Sequence, residues 1–277
     1  MSALMTNTYY PVMTIAGSDS CGGAGIQADL KTFAAEGCYG MSAITAVTAQ
    51  NTMGVEGVWG LPAEAVEAQI RAVAADVRPL ALKTGMLFNA AIVETVAGAI
   101  ERLRLENLVV DPVMISTSGD MLLQLDAVEI MRTRLFPLSA LVTPNVSEAI
   151  VLTGEEEPVA QARALRAMGC RAILLKGGDS DAVPGLKVDR FMDSGSDELV
   201  ELRADAVPTQ NTHGTGCTLS AAIAARLALG DDMATAVARG KLYVTRALRA
   251  GADVRTGGGH GPVCHGFDPK RQKIKRI

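Results

Sequence analysis

The fold is indicated first by residues 12–36, which read VMTIAGSDSCGGAGIQADLKTFAAE. Residues 12–16 are a short apolar run that predicts a buried strand, and this run ends at a glycine. Residues 24–36 predict a helix, because apolar side chains recur there at spacings of four and three residues. These side chains are Ile26, Leu30 and Phe33. The glycine-rich turn between strand and helix lies where open α/β sheets bind ligands, beyond the end of a strand.

The same alternation continues along the chain. Periodicity predicts further helices at 62–77, 89–103, 159–168, 215–229 and 233–250, and short apolar runs predict strands at 80–82, 108–110, 140–143 and 172–175. Residues 186–202 predict a β-hairpin at a sheet edge, with its turn at 193–197. Strands that alternate with helices need crossover connections, so we expect an α/β protein with a mostly parallel sheet covered on both faces. No linker composition is visible, and a single domain spanning 1–277 is expected.

Composition and charge exclude several classes of protein. The chain has 277 residues, 48% hydrophobic and 20% charged, so it can bury a large core and is not disordered. Five cysteines without close pairing argue against a disulfide framework, and we expect a reducing, cytoplasmic location with no signal peptide. A net charge of −4 offers no general attraction to nucleic acid or to a membrane. Residues 270–277 carry five basic side chains and are expected to form a flexible, solvated tail.

The strongest local motif is the segment 211–218, which reads NTHGTGCT and opens directly into the helix predicted at 215–229. Its two glycines let the backbone turn tightly and expose N–H groups, and the helix adds the positive end of its dipole. The segment therefore predicts an anion site. Cys217 lies in this field, where we expect a lowered thiol pKa and a role as a base. The alternative is a loop that caps a buried helix, with Cys217 as an apolar filler.

Three other predicted strands end in groups suited to phosphate or hydrated Mg²⁺. The segments read DPVM at 111–114, TPNVSE at 143–148 and KGGD at 176–179. Each alone is typical of a turn or cap, but parallel strands bring such ends to one edge of the sheet. By contrast, residues 23–28 match a dinucleotide fingerprint only loosely, no GxxxxGK[ST] loop occurs, and the histidines match no zinc pattern.

Together these motifs resemble the hydroxymethylpyrimidine and phosphomethylpyrimidine kinases of thiamine biosynthesis, in the ribokinase-like superfamily. The resemblance covers nearly the whole chain, in the segments 14–19, 22–33, 45–54, 83–87, 111–114, 144–148, 176–179, 211–218 and 261–263. It implies a ribokinase-like α/β/α fold. It also implies transfer of phosphate from ATP to 4-amino-5-hydroxymethyl-2-methylpyrimidine, and then of a second phosphate to the monophosphate.

The resemblance further implies roles for individual residues. The pyrimidine pocket would use Gly17, Asp29, Gln50, Met86 and Val113. A side-chain amide suits an aminopyrimidine, because it donates to a ring nitrogen and accepts from the amino group. The anion hole for the transferred phosphoryl group would be Gly214, Thr215, Gly216 and Cys217. Hydrated Mg²⁺ would be held by Asp111 and Glu148 through water, and Lys176, Asn145 and Thr212 would lie toward the nucleotide phosphates.

The alternatives depend on position 217 and on the last glycines. Cysteine at 217 fits the pyrimidine kinases, whereas sugar kinases and most pyridoxal kinases of the superfamily carry Asp there. Some pyridoxal kinases share the cysteine, so a pyridoxal or pyridoxamine kinase is one alternative, and a catalytically idle pyrimidine-binding relative is another. The family carries a lysine near the position of Gly258, so the second phosphorylation is less supported than the first. The resemblance implies a homodimer and leaves open whether the loop 179–188 closes over ATP.

Overall fold

A computed structural model describes residues 7–114, 123–124, 126–177 and 185–276. The described strands are β1 (Asn7–Tyr9), β2 (Pro11–Asp19), β3 (Tyr39–Gln50), β4 (Val55–Gly60), β5 (Ala81–Thr84), β6 (Leu108–Val110), β7 (Leu141–Val142), β8 (Ala172–Leu175), β9 (Leu186–Met192), β10 (Val200–Asp205) and β11 (Ile274–Arg276). The described helices are α1 (Gly25–Ala35), α2 (Ala63–Asp76), α3 (Ala90–Leu103), α4 (Asp126–Ile130), α5 (Val146–Thr153), α6 (Pro158–Ala167), α7 (Thr215–Ala228) and α8 (Met233–Gly251). A π-helical turn (Met131–Leu135) and a 3₁₀ turn (Phe136–Leu138) follow α4. Most of the loop 179–188 lies outside the described residues.

Nine of the described strands form one sheet, in the order β10-β9-β8-β7-β6-β5-β2-β3-β4. The six central strands, from β8 to β3 in that order, pair in parallel. Antiparallel strands flank them: β4 beside β3, and the β9–β10 hairpin beside β8. The predicted α/β class and the predicted edge hairpin are confirmed. The sheet takes strands from both halves of the chain.

Helices cover both faces of the sheet. Successive strand residues point to opposite faces, so Met13 packs with α2 and α3 on one side, whereas Val12 packs with α1, α7 and α8 on the other. The same division holds in β8, where Ile173 and Leu174 belong to different hydrophobic clusters. The fold therefore has three α/β/α layers. No helix of the described residues combines the length and the hydropathy needed to cross a membrane.

Several described elements were not predicted from the sequence, and β4 and α5 show why. The strand β4 reads VEGVWG and is too short and glycine-rich to show a clear alternation. The helix α5 reads VSEAIVLT, which is only eight residues long and apolar on most sides, so helical periodicity is weak. Its start is marked instead by a capping box between Asn145 and Glu148.

The prediction of a flexible basic tail is wrong for the described residues 270–276. Strand β11 pairs antiparallel with β1. Lys270 Nζ donates to Glu36 Oε1 at 2.7 Å. Lys275 Nζ lies 5.7 Å from the centroid of the Tyr10 ring. The basic side chains therefore find a carboxylate and an aromatic ring within the chain, and strand pairing holds the segment on the body of the protein.

Candidate active site

The parallel strands end at one large cavity of about 660 Å³. It lies beyond their carboxyl ends, where ligands bind in open α/β sheets. The predicted site residues that line it are Gly17, Gln50, Met86, Asp111, Val113, Asn145, Glu148, Lys176, Thr212, Gly214, Thr215, Gly216 and Cys217. The structure therefore brings these residues together. The remaining predicted site residue, Asp29, does not line the cavity.

Asp29 lies behind the cavity wall, in α1. Its side chain is fully buried, and its two carboxylate oxygens accept hydrogen bonds from Lys83 Nζ at 3.0 and 2.9 Å. Thr14 Oγ1 donates to the same carboxylate at 2.6 Å. Both carboxylate oxygens of Asp29 therefore already accept hydrogen bonds within the protein. The structure shows Asp29 outside the cavity lining, and not in a position to contact a substrate directly. Lys83 does line the cavity, so Asp29 is connected to the cavity through Lys83.

The segment 212–217 forms a helix N-terminus in the cavity wall. Gly214 is the N-cap of α7 with a φ of +79°, a left-handed conformation that favours glycine. A Cβ at Gly214 would collide with the carbonyl oxygen of Gly23, so this loop packs directly on the first glycine-rich turn. Gly216 and Cys217 follow in the first helical turn, where backbone N–H groups lack intrahelical acceptors. Such a turn can bind a phosphoryl group.

Cys217 does not have the lowered pKa that the sequence predicted. Burial raises the pKa of its thiol to about 11; Lys83 opposes this rise, whereas the carboxylates of Asp29 and Asp111 add to it. The prediction failed because the cost of desolvating a thiolate outweighs the field of the helix N-terminus. At neutral pH the resting side chain is a thiol, and Lys83 is the neighbouring cation that favours its ionised form.

A lysine joins two buried carboxylates next to this helix N-terminus: a Cβ at Gly216 would lie 3.4 Å from Lys176 Nζ and 3.7 Å from Asp111 Oδ2. Lys176 Nζ lies 2.8 Å from Asp111 Oδ1 and 3.7 Å from Glu148 Oε2, and Ser220 Oγ donates to Asp111 Oδ2 at 3.1 Å. Burial alone would raise the pKa of Asp111, but Lys176 and Lys83 hold it below its ordinary value. Burial raises the pKa of Glu148, although Lys176 opposes this. Asp111 is therefore a carboxylate at neutral pH.

These groups fit a hydrated Mg²⁺ ion that is shared with phosphate oxygens. Among the described residues, no group of three His, Cys, Asp or Glu could hold a metal by itself. In phosphate sites Mg²⁺ keeps several waters and takes only one or two carboxylates, which Asp111 and Glu148 can supply. Asn145 Oδ1 is committed to capping α5, since it accepts from the backbone N–H of Glu148 at 2.9 Å. Only the side-chain nitrogen of Asn145 is left to reach a phosphate.

Sequence reasoning assigned no role to three residues that line the site: Lys83, Asp19 and His213. His213 Nε2 lies 2.8 Å from Asp19 Oδ2, and both side chains are buried. Asp19 and His213 belong to motifs visible in the sequence, but they are 194 residues apart, and nothing in either motif indicates the other. The sequence feature that could have indicated a role for Lys83 is its position near the end of a short, buried strand.

Gly258 lies away from the large cavity. Together with Gly257 and Gly259 it lines a separate cavity and packs against Thr52 and Met53. Gly259 N donates to Thr52 Oγ1 at 3.2 Å. Positive charge along the described wall of the large cavity comes instead from the side chains of Lys83, Lys176, Lys187 and Lys241.

A helix N-terminus beside a carboxylate–lysine cluster is suited to phosphoryl transfer, in which positioning and charge stabilisation provide most of the catalysis. The fold and site together define a kinase of the ribokinase-like class. Solved structures agree. The ADP complex of Bacillus subtilis pyridoxal kinase matches with a TM-score of 0.85 at 32% identity, over 94% of this chain and 98% of that one. Phosphomethylpyrimidine kinase from Clostridium difficile matches with a TM-score of 0.74 at 41% identity, over 86% and 99%.

The chain belongs to the phosphomethylpyrimidine kinase family, whose model matches residues 19–264. A hydroxymethylpyrimidine/phosphomethylpyrimidine kinase from Streptomyces coelicolor is 50% identical over 261 residues, which is 92% of this chain and 94% of the relative. The family resemblance carried by the sequence motifs is therefore confirmed.

Proposed function

We propose that this protein transfers the γ-phosphoryl group of ATP to the hydroxymethyl oxygen of 4-amino-5-hydroxymethyl-2-methylpyrimidine, and in a second reaction phosphorylates the monophosphate to the pyrophosphate. Each reaction forms one O–P bond, breaks the bond between the β- and γ-phosphates of ATP and releases ADP; the first also releases the hydroxyl proton. The observation that carries the proposal is that Gln50 and Met86 share one cavity with the anion loop 214–217 and with Lys176.

Gln50, Met86 and Gly17 would form the pocket for the pyrimidine. The Met86 side chain lies against Gly17, where a Cβ would collide with its methyl group. The Met86 backbone is fixed, because its carbonyl accepts from Gly17 N at 3.1 Å and from Thr45 Oγ1 at 2.7 Å. The Met86 thioether would pack on the face of a flat ring. The Gln50 carboxamide would form hydrogen bonds with the polar edge of that ring.

Phosphoryl transfer would take place at the loop 214–217. The N–H groups of Gly216 and Cys217 can stabilise the oxygens of the phosphoryl group as it moves from donor to acceptor. Cys217 would accept the proton that the hydroxyl oxygen loses as the O–P bond forms. Because its pKa is raised to about 11, only a small fraction is thiolate near pH 7, and turnover should increase above that pH.

The other end of the cavity would hold the nucleotide. Apolar side chains from Val207, Val244 and Leu248 line that end and suit a flat base. Lys176, Asn145 and Thr212 would lie toward the phosphates. Asp111 and Glu148 would hold hydrated Mg²⁺, which when bound neutralises charge on the phosphate oxygens.

We further propose that the protein works in the cytoplasm as a homodimer. Val47 and Trp59 are paired across β3 and β4 at the sheet edge, and both side chains are exposed. Apolar neighbours of this kind are typical of protein interfaces. Sedimentation analysis of wild type and Trp59→Glu tests the dimer, which the variant should weaken.

A coupled assay of ADP release tests the substrate assignment with three acceptors: the hydroxymethylpyrimidine, its monophosphate and pyridoxal. We expect turnover of both pyrimidines and a higher kcat/KM for the hydroxymethylpyrimidine than for pyridoxal. A preference for pyridoxal would identify a pyridoxal kinase instead. Binding of the pyrimidine by calorimetry without ADP release would identify a catalytically idle relative. Release of ADP with the first pyrimidine alone would remove the second reaction from the proposal.

A further inference from the structure

The Gln50 carboxamide has a histidine beside it in the cavity wall. His213 Nε2 lies 2.8 Å from Asp19 Oδ2 and 3.5 Å from Gln50 Nε2. The side chains of His213 and Asp19 are buried, at 5% and 3% exposure, so water does not compete for these contacts. Whether His213 Nε2 donates or accepts a hydrogen bond therefore affects the orientation of the Gln50 carboxamide.

Asp19 decides which atom of His213 carries a hydrogen. Its carboxylate accepts the backbone N–H groups of Cys21, Gly23 and Ala24 at 2.9, 2.9 and 2.7 Å. Burial alone would raise the pKa of Asp19, but hydrogen bonds from His213 and Ala24 bring it below its ordinary value. An ionised carboxylate can only accept hydrogen bonds, so Nε2 of His213 carries the hydrogen.

This hydrogen in turn selects the orientation of the Gln50 carboxamide, because two N–H groups cannot donate to each other. Rotation by 180° about the last side-chain bond exchanges Oε1 and Nε2. Oε1 then takes the weaker share of a three-centre hydrogen bond from His213 Nε2–H, whose nearer acceptor is Asp19 Oδ2. Nε2 of Gln50 donates to Thr48 Oγ1, which lies 3.3 Å from that end of the carboxamide. Thr48 Oγ1 can accept this bond, since its own hydrogen goes to Ser18 O at 2.8 Å. The rotated orientation therefore removes the contact between two donors and gives Gln50 Nε2 an acceptor.

We propose that His213 is a specificity-determining residue, which turns the carboxamide oxygen of Gln50 toward its own Nε2–H and so fixes the edge of the heterocycle that the site accepts. Oε1 retains one lone pair and Nε2 one hydrogen for the ligand. A 4-aminopyrimidine offers the matching pair, an amino donor beside a ring-nitrogen acceptor. A 4-oxopyrimidine offers an acceptor beside an N–H donor, which is the reverse order.

A fixed carboxamide therefore rejects the 4-oxo compound, whereas a carboxamide free to rotate can bind either one. The inference rests on the proposed function to the extent that Gln50 faces the pyrimidine. It adds a reason for choosing between two pyrimidines of the same size and shape, which Gln50 alone does not supply.

The experiment compares kcat/KM for 4-amino-5-hydroxymethyl-2-methylpyrimidine and for its 4-oxo analogue, in wild type and in two variants. His213→Leu should lower the preference for the amino compound about tenfold, the net value of one hydrogen bond. His265→Leu is the matched control: His265 is also buried, and its Nε2 lies 3.0 Å from Gly23 O in the same turn, but it has no contact with Gln50. This control should leave the preference unchanged.

The ratio of the two substrates separates specificity from mere loss of structure. If His213→Leu lowers both kcat/KM values equally, or if His265→Leu changes the ratio as much, the proposal is overturned. Thr48→Val is nearly isosteric and removes the acceptor for Gln50 Nε2 together with the hydrogen bond to Ser18 O, so it tests the same orientation if His213→Leu does not fold. An unchanged ratio in that folded variant would also overturn the proposal. If wild type releases no ADP, the proposed function fails separately, and calorimetric Kd values for the two pyrimidines still test His213.

Discussion

Lys83 Nζ lies 2.9 Å from Asp29 Oδ2, and neither side chain is exposed to solvent. A buried charge is stable only when it is paired, and breaking such a pair by removing one partner is strongly destabilising. Lys83 also lines the cavity that contains Cys217, and it opposes the rise in the thiol pKa caused by burial. The ion pair therefore places a permanent cation near the proposed base, with Asp29 holding it in position.

The first prediction concerns the pKa of Cys217. Asp29→Asn should lower it by about one pH unit, because the Asp29 carboxylate raises this pKa and its loss leaves Asp111 alone, of the two carboxylates, to oppose Lys83. Adding Lys83→Met to Asp29→Asn should raise it again, and it avoids leaving a buried carboxylate unpaired. The measurement is the midpoint of alkylation of Cys217 by iodoacetamide against pH, read by peptide mass spectrometry.

Cys21 provides an internal control for this experiment. It is partly exposed, and the charged groups that affect its pKa are Asp19 and Lys31, which neither substitution touches. Its midpoint should stay constant while that of Cys217 moves. Equal midpoints for Cys217 in wild type and both variants would show that Lys83 and Asp29 serve only to hold the structure together.

The second prediction is that Cys217→Ala lowers kcat by about 10² or more, the usual contribution of a general base. In wild type, kcat should increase with pH between about 7 and 10, because the thiolate fraction increases until the pH reaches the raised pKa. The profile of Cys217→Ala should be flat over that range. Coupled ADP release at saturating substrates measures both. Unchanged turnover in the variant would make Cys217 a structural residue.

The sequence predicted the position of the site better than the partners within it. Strand ends such as Asp111 and Lys176 were found because each polar group directly follows an apolar run, and parallel strands must bring these ends together. Asp29 was misplaced, although it lies three residues after Ile26 and four before Phe33, on the buried face of α1. That spacing predicts a position inside the protein rather than in a pocket.

Pairs that are distant in sequence could not be predicted in the same way. Lys83 and Asp29 are 54 residues apart. The prediction of a lowered Cys217 pKa failed for a related reason. A sequence motif indicates the helix N-terminus, but it does not indicate how deeply the fold buries the thiol. Burial and long-range partners depend on packing, and one sequence contains no direct record of either.

The third prediction is that Gln50→Ala raises KM for the pyrimidine about tenfold, the effect of one lost hydrogen bond to a substrate, and leaves the Kd for ATP nearly unchanged. The reason is position: Gln50 ends β3, whereas the apolar end of the cavity is formed by α8 and the segment after β10. Calorimetry with a non-hydrolysable ATP analogue measures nucleotide binding independently of turnover. A large loss of ATP affinity would mean that Gln50 faces the nucleotide.

The fourth prediction concerns stability in acid and depends on His265. Burial lowers the pKa of this histidine to about 4, with a further effect from Lys31, whereas an unfolded histidine has a pKa near 6.5. Between these values the unfolded chain binds a proton that the folded chain does not, so this contribution to stability is complete above about pH 6.5 and is lost as the pH falls toward 4. Wild type should lose about 3 kcal/mol more than His265→Gln over that range.

Urea unfolding at pH 7 and at pH 4 measures this difference. The carboxamide introduced by His265→Gln would still offer an N–H group to Gly23 O, which His265 Nε2 contacts at 3.0 Å, so the variant removes the titration while it retains a donor. Other groups that titrate in acid, such as Asp19 and Glu148, are present in both proteins and cancel in the comparison. Parallel loss of stability in the two proteins would show that His265 is protonated in the folded chain, and that its burial does not exclude the charge.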